Sequence, residues 1–224
     1  VSSLWAQRED IVLQKERKEF AYQSIKELKK GALVVRLKTN QRKIQLLERT
    51  LKSSKLNKNQ RKRHQAMLDG TLQTRNDFNE AIADMFLDSF SFCSVYLVYD
   101  SSTTSLKKGV KSGIFLDSNQ VINPSIQLQE SDIFVINYKK KSSEFPFDIL
   151  RMQKLNERLE DPFPYYMQLR ESWLNQINSP RAAQAVVQLD RRLYSFYARA
   201  LAYDQKMEEK KARKKAKEDN SEQP

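Results

Sequence analysis

A chain of 224 residues with 39% hydrophobic and 30% charged residues can bury one core and still carry solvated helices, and its single cysteine, Cys93, excludes an internal disulfide. No stretch approaches the roughly 20 uncharged apolar residues that cross a bilayer, so the chain is not expected to be membrane-spanning; its densest apolar clusters are Val95 to Tyr99 and Ile133 to Ile136. The formal net charge of +12 resides in residues 1–68, which hold eighteen Lys/Arg against six Asp/Glu, while the remainder is balanced.

Residues 1–7, Val-Ser-Ser-Leu-Trp-Ala-Gln, read as the remnant of a secretory signal peptide cut after Ala6, with residues 8–207 forming a single domain and 208–224 a charged tail. From Arg8 to Lys30 the chain lacks Pro and Gly and spaces Ile11, Phe20, Ile25 and Leu28 as a helix does, with Gly31 expected to stop it as a C-terminal glycine. Ala32 to Lys38 then alternates as a strand, with Leu33, Val35 and Leu37 on its buried face.

Thr39 and Asn40 are expected to cap a helix over Gln41 to Ser54, and Gln60 to Phe90 to form another that Gly70 kinks or interrupts. Together residues 41–90 resemble an antiparallel helical hairpin inserted between strands. Ser94 to Asp100 and Asp132 to Tyr138 are apolar on both faces, as central strands are. Gly113 to Asp117 and Phe145 to Met152 are shorter or weaker strands.

Pro162 and Pro164 open a further unit in which Met167 to Asn178 is read as helix, and Ser179-Pro180 starts another. Its apolar residues Val186, Leu189, Leu193, Phe196, Tyr197 and Leu201 share one face, while the tail from Glu208 is expected to fray. The fold class is therefore α+β: a mixed sheet of about four to five strands with packed helices, an inserted basic helical hairpin and a helical, partly disordered C-terminal tail.

Between Arg36 and Arg63 eleven basic residues face one acid, Glu48. The candidate anion- or partner-binding residues are Arg36, Arg42, Lys43, Arg49, Lys52, Lys58, Arg61, Lys62 and Arg63. Such a patch binds polyanions by releasing counterions, although no aromatic side chain interrupts it to stack on single-stranded bases. Arg36 stands out because a cation in an apolar strand must reach solvent, a carboxylate or a ligand, and an edge strand would supply the solvent.

Catalytic groups are scarce. The one histidine, His64, lies among like charges and reads as a surface residue, and Cys93 begins an apolar strand where burial leaves a thiol inert. The four glycines form neither a dinucleotide fingerprint nor a P-loop, and the acids are too scattered for a metal site. The expectation is no enzyme, no catalytic residue, no metal and no cofactor. The loop Asp100 to Gly109 could offer hydroxyls and ammonium groups to an anion, placing a small-molecule pocket near Arg36 and Ser101 to Ser105.

Gly31-Ala-Leu-Val-Val-Arg-Leu-Lys-Thr-Asn40, Phe90-Ser-Phe-Cys-Ser-Val-Tyr96, Pro162-Phe-Pro-Tyr-Tyr166 and Leu193-Tyr-Ser-Phe-Tyr197 resemble segments of an uncharacterised family of exported Bacteroidota proteins. The resemblance spans residues 25–200. It implies the periplasm or outer envelope and supplies no activity. The resulting expectation is a non-enzymatic envelope protein that binds a protein partner or polyanion through its basic hairpin. The alternative is a cytosolic nucleic-acid-binding module.

Overall fold

The computed structural model describes residues 2–140, 148–169 and 180–221, with side chains described for 12–140, 148–169 and 184–216. The helices are α1 (Ser2–Lys30), α2 (Gln41–Leu51), α3 (Lys58–Ser89), the short α4 (Thr103–Lys107) and α5 (Pro180–Ser221). The strands are β1 (Ala32–Leu37), β2 (Ser94–Tyr99), β3 (Phe115–Leu116), β4 (Ile133–Lys139), β5 (Asp148–Lys154) and β6 (Tyr166–Leu169). They form one mixed sheet in the order β3-β2-β1-β4-β5-β6. β1 pairs in parallel with β2 and β4, and the outer pairings are antiparallel. Among the described residues no helix is long and apolar enough to cross a membrane.

The α+β class stands, and the sheet has six strands rather than four to five. The extra strand is β6, within the stretch read as helix from Met167. Met167 and Leu169 are buried with Gln168 exposed between them, a two-residue alternation too short to separate from helical spacing in the sequence. Residues 170–178 of that expected helix, and 145–147 of the weaker strand that became β5, lie outside the described residues.

β1 is central, and both of its faces are covered. Leu33, Val35 and Leu37 lie in the main core with Ile25 and Leu28 of α1, Phe78, Ile82 and Phe86 of α3, and Leu189, Leu193 and Phe196 of α5. Ala32 and Val34 face a smaller cluster with Leu106 of α4, Phe115 and Leu128. An interior strand must be apolar on both sides, which explains the unbroken run Ala32 to Val35. The edge position that would have let Arg36 reach water is corrected by this placement.

Three local expectations change in detail. Gly31 does end α1, but not through a left-handed turn: a Cβ there would sit 2.2 Å from the Asp132 carbonyl oxygen, where β4 begins. Asn40 adopts φ 51°, ψ 24° and makes no side-chain cap. The side-chain cap in this region belongs to Asn57, whose Oδ1 accepts from Gln60 N at 2.9 Å while Asn57 N donates to Gln60 Oε1 at 3.0 Å. Gly70 leaves α3 uninterrupted.

α1 and α5 pack against each other, with the Tyr22 ring centroid 5.3 Å from Phe196 and 5.1 Å from Tyr203. Ser2–Gln7, read as a signal remnant, form the first turns of α1. The expected frayed tail continues α5 as helix to Ser221, and residues 222–224 lie outside the described residues.

A cationic cleft where the hairpin meets the sheet

The connection leaving β1 runs through α2 and α3 to β2 on one side, whereas β4 hands on to β5 on the other. Adjacent parallel strands whose connections diverge leave a crevice beyond their carboxyl ends, the usual ligand position in open α/β sheets. Here that crevice is a cleft of about 580 Å³. Lys38 enters it from the end of β1, Tyr138 and Lys140 from the end of β4, Asn40 and Lys43 from the start of α2, and Met67, Thr71, Thr74, Arg75 and Phe78 from α3. Positions 67, 71, 74 and 78 fall at helical i, i+4, i+7, i+11 spacing, so one stripe of α3 forms the wall.

The floor is rigidly built. Asn79 on α3 is buried, and its amide donates to the Lys38 carbonyl at 2.8 Å while its Oδ1 accepts from Lys38 N at 2.8 Å, continuing the backbone pairing of β1 by one step. Thr39 donates both N–H, at 3.1 Å, and hydroxyl, at 2.5 Å, to Asp100 Oδ1 at the end of β2. The chain that leaves β1 is thereby held on both sides. Phe78 and Tyr138 meet edge to face with ring centroids 5.1 Å apart, and the Tyr138 hydroxyl donates to Asp148 Oδ2 on β5. Their rings receive the Lys38 ammonium, whose Nζ lies 3.4 Å from the Phe78 centroid and 4.1 Å from that of Tyr138.

Four cations, Lys38, Lys43, Arg75 and Lys140, line the cleft, and no carboxylate does among the described lining residues. Burial, reinforced by the like charge of Lys140, lowers the Lys38 pKa to about 8 against the opposing pull of Asp148 and Asp100. Burial and the bond to Asp148 raise the Tyr138 hydroxyl well above its ordinary range. The folded protein thus binds fewer protons at Lys38 than the unfolded chain between about pH 8 and the ordinary lysine value of 10.5, so this group makes stability rise with pH across that window. Lys38→Met is expected to flatten that rise, measured as denaturation midpoints from pH 7 to 11, and to leave the protein at least as stable at pH 7.

The hairpin residues divide into groups. Only Lys43 of the nine residues expected from sequence lines the cleft. Arg42, Arg49, Lys52, Lys58, Lys62 and Arg63 are exposed on the hairpin. Arg61 closes the turn between its helices, its guanidinium donating to the Leu51 carbonyl at 2.6 Å and the Ser53 carbonyl at 3.1 Å. Arg36 lies on the opposite face of β1 from the main core, and its Nε is buried without a partner. Asn137 Oδ1 is likewise unpartnered on neighbouring β4, one position beyond the paired Val35 and Ile136. Neither Arg36 nor Ser101 to Ser105 lines this cleft, which opens where Lys38 emerges, and Asp100 to Ser102 and Thr103 to Lys107 are wound into short helices.

Lys38, Arg75 and Lys140 were missed from sequence. A signal existed for two of them: Lys38 directly follows the strand segment Ala32 to Leu37, and Lys140 the segment Ile133 to Lys139, at the carboxyl ends where a parallel sheet presents its ligand groups. His64 is half-buried rather than a surface residue, with its Nδ1 buried and unpartnered. About 37 Å of α3 separates it from Ser89, at 1.5 Å rise per residue, so His64 does not meet Cys93, which directly precedes β2 a few residues after α3. Burial pushes the Cys93 thiol up to about 12, leaving it protonated at neutral pH. No protein-family model, curated protein sequence or solved structure matches this chain.

Proposed function

We propose that this chain is a non-enzymatic binding protein for anionic partners, whose charged group is held in the cleft at the root of the basic hairpin. The observation that carries the reading is the gathering of Lys38, Lys43, Arg75 and Lys140 around one cleft at the diverging ends of β1 and β4, with no acid among the described lining residues. Several cations converging on one site add their attractions for an anion, whereas a lone surface cation contributes little. The exposed hairpin cations extend the same sign of potential outward and raise the rate at which an anion arrives.

The two parts make separable contributions. The cleft supplies short-range contacts to one charged group, so Arg75→Gln or Lys43→Gln is expected to weaken binding of a phosphate-bearing probe about tenfold each, as lost charge-assisted hydrogen bonds do. Exchanging Lys58, Lys62 and Arg63 for glutamine is expected to reduce the salt dependence of binding while costing a small organic phosphate little affinity. Isothermal titration with inorganic phosphate and with a phosphorylated sugar at several salt concentrations reads both effects. Equal loss from the two sets of variants would remove the cleft from the reading and leave only a diffuse basic face. Salt-sensitive binding to random-sequence RNA or DNA that depends on the hairpin set alone would instead favour a nucleic-acid partner.

A further inference from the structure

The geometry points to Lys38 as a covalent capture site: its side-chain amine forms a reversible imine with a small ligand that carries both a carbonyl and an anionic group. The inference rests on the anion-binding reading of the cleft and names the ligand class that this reading leaves open.

Three features of the cleft support it. First, Lys38 is anchored at its backbone by both ends of the Asn79 amide, so its side chain leaves from a fixed point into the cleft. Its Nζ is held against Phe78 and Tyr138, which fix the position from which the amine would attack. Second, the remaining cations face the same space from three other elements: Lys43 from α2, Arg75 from α3 and Lys140 from beyond β4. They can take the anionic end of a ligand whose carbonyl is presented to Lys38. Ala66 and Met67 offer apolar surface for the body between. Third, the amine can lose its proton near neutrality, because burial and the like charge of Lys140 outweigh the pull of Asp148 and Asp100. A pKa lowered to about 8 leaves a far larger neutral fraction near neutrality than the roughly one part in a thousand of an ordinary lysine.

The chemistry balances without any further reagent. The neutral Lys38 nitrogen adds its lone pair to the carbonyl carbon, and the carbonyl electrons move to oxygen to give a carbinolamine. Two protons pass from nitrogen to that oxygen through water in the open cleft, the first giving the neutral carbinolamine and the second letting the oxygen leave as water while the carbon–nitrogen double bond forms. Nothing is oxidised or reduced, and hydrolysis returns amine and carbonyl compound.

Pyridoxal 5′-phosphate is a suitable probe, since it joins an aldehyde and a phosphate on a planar ring. The full chain is incubated with it, reduced with borohydride, and mapped by peptide mass spectrometry. The expected result is a single dominant adduct on Lys38, formed at a rate that climbs about tenfold per pH unit below 8 and levels above it. Inorganic phosphate competes, and pyridoxal, which lacks the phosphate, requires at least tenfold higher concentration. Lys38→Arg and Lys38→Met, each checked for an unchanged far-ultraviolet circular dichroism spectrum, lose the adduct. Label spread over the exposed hairpin lysines, or unaltered in folded Lys38→Arg, overturns the inference. Phosphate binding that is sensitive to Arg75→Gln but accompanied by no Lys38 adduct overturns the imine and leaves anion binding intact. A Lys38 adduct formed equally with pyridoxal and insensitive to phosphate overturns the anion-carrying ligand class and counts against the anion-binding reading itself.

Discussion

Gly31→Ala is expected to destabilise the protein by about 3 kcal/mol, among the larger costs of overfilling a packed site. The added methyl carbon would stand 2.2 Å from the Asp132 carbonyl oxygen and 2.9 Å from that of Glu27, and neither atom belongs to a flexible side chain. The Asp132 carbonyl is also the acceptor for Ala32 N at 2.9 Å, the bond that starts the pairing of β1 with β4. Relief therefore requires the two central parallel strands to separate at their amino ends. Urea denaturation reads the loss directly, and an unchanged midpoint would show that α1 can shift away as a unit. Because the cleft lies at the opposite, carboxyl ends of the same strands, phosphate binding by the folded fraction is expected to persist.

Asp190→Ala carries the second large effect, a loss of about 3 kcal/mol. This buried carboxylate on α5 accepts from Ser91 N at 2.9 Å, Phe92 N at 2.9 Å and the Ser91 hydroxyl at 3.0 Å. Hydrogen bonds to a charged acceptor contribute about 1.5–3 kcal/mol each and are not additive, and the variant strands the Phe92 amide among buried rings. Asp190→Asn keeps one acceptor oxygen and is expected to lose about half as much. The measurement is again the denaturation midpoint, with near-ultraviolet circular dichroism following the Phe92 and Tyr194 rings, whose centroids are 5.0 Å apart. Equal stability of Asp190→Ala and the parent would show that the turn from α3 into β2 is held by packing alone. The contact joins the last helix to the start of the middle of the chain, and it fixes α5 over the face of the sheet that α3 also covers.

The two effects share a cause that bears on the site. A cleft formed at strand ends is only as well defined as the sheet beneath it, and its charged residues keep their spacing because β1 is held by neighbours on both sides. Lys38 illustrates the dependence. It pays for partial burial in a lowered affinity for its proton, and it stays there because Asn79, Phe78 and Tyr138 are themselves set by the packing of α3 and β4.

Much of the fold could be read along the chain because its elements announce themselves locally. The helical spacing of Ile25 and Leu28, the alternation of Leu33, Val35 and Leu37, and the doubly apolar segments around Val95 and Ile133 each follow from the period of one element against one buried face. The localisation of positive charge to the first third is likewise a property of sequence alone. β6 was not legible, since a strand of four residues carries too little periodicity to distinguish it from the start of a helix. The reason for Gly31 was not legible either, because the atom it makes room for is a hundred residues away.

The candidate site divides in the same way. The charge run between Arg36 and Arg63 was visible, but which of its members act together was not: Arg61 closes a turn, Arg36 faces the other side of the sheet, and Lys38 and Lys43 line the cleft. Residue types and local periodicity determined where positive charge would be and which segments would be buried, because both depend on neighbours close in sequence. Strand order decided the rest, because placing β4 beside β1 brings Lys38 and Lys140, a hundred residues apart along the chain, to the same open end of the sheet.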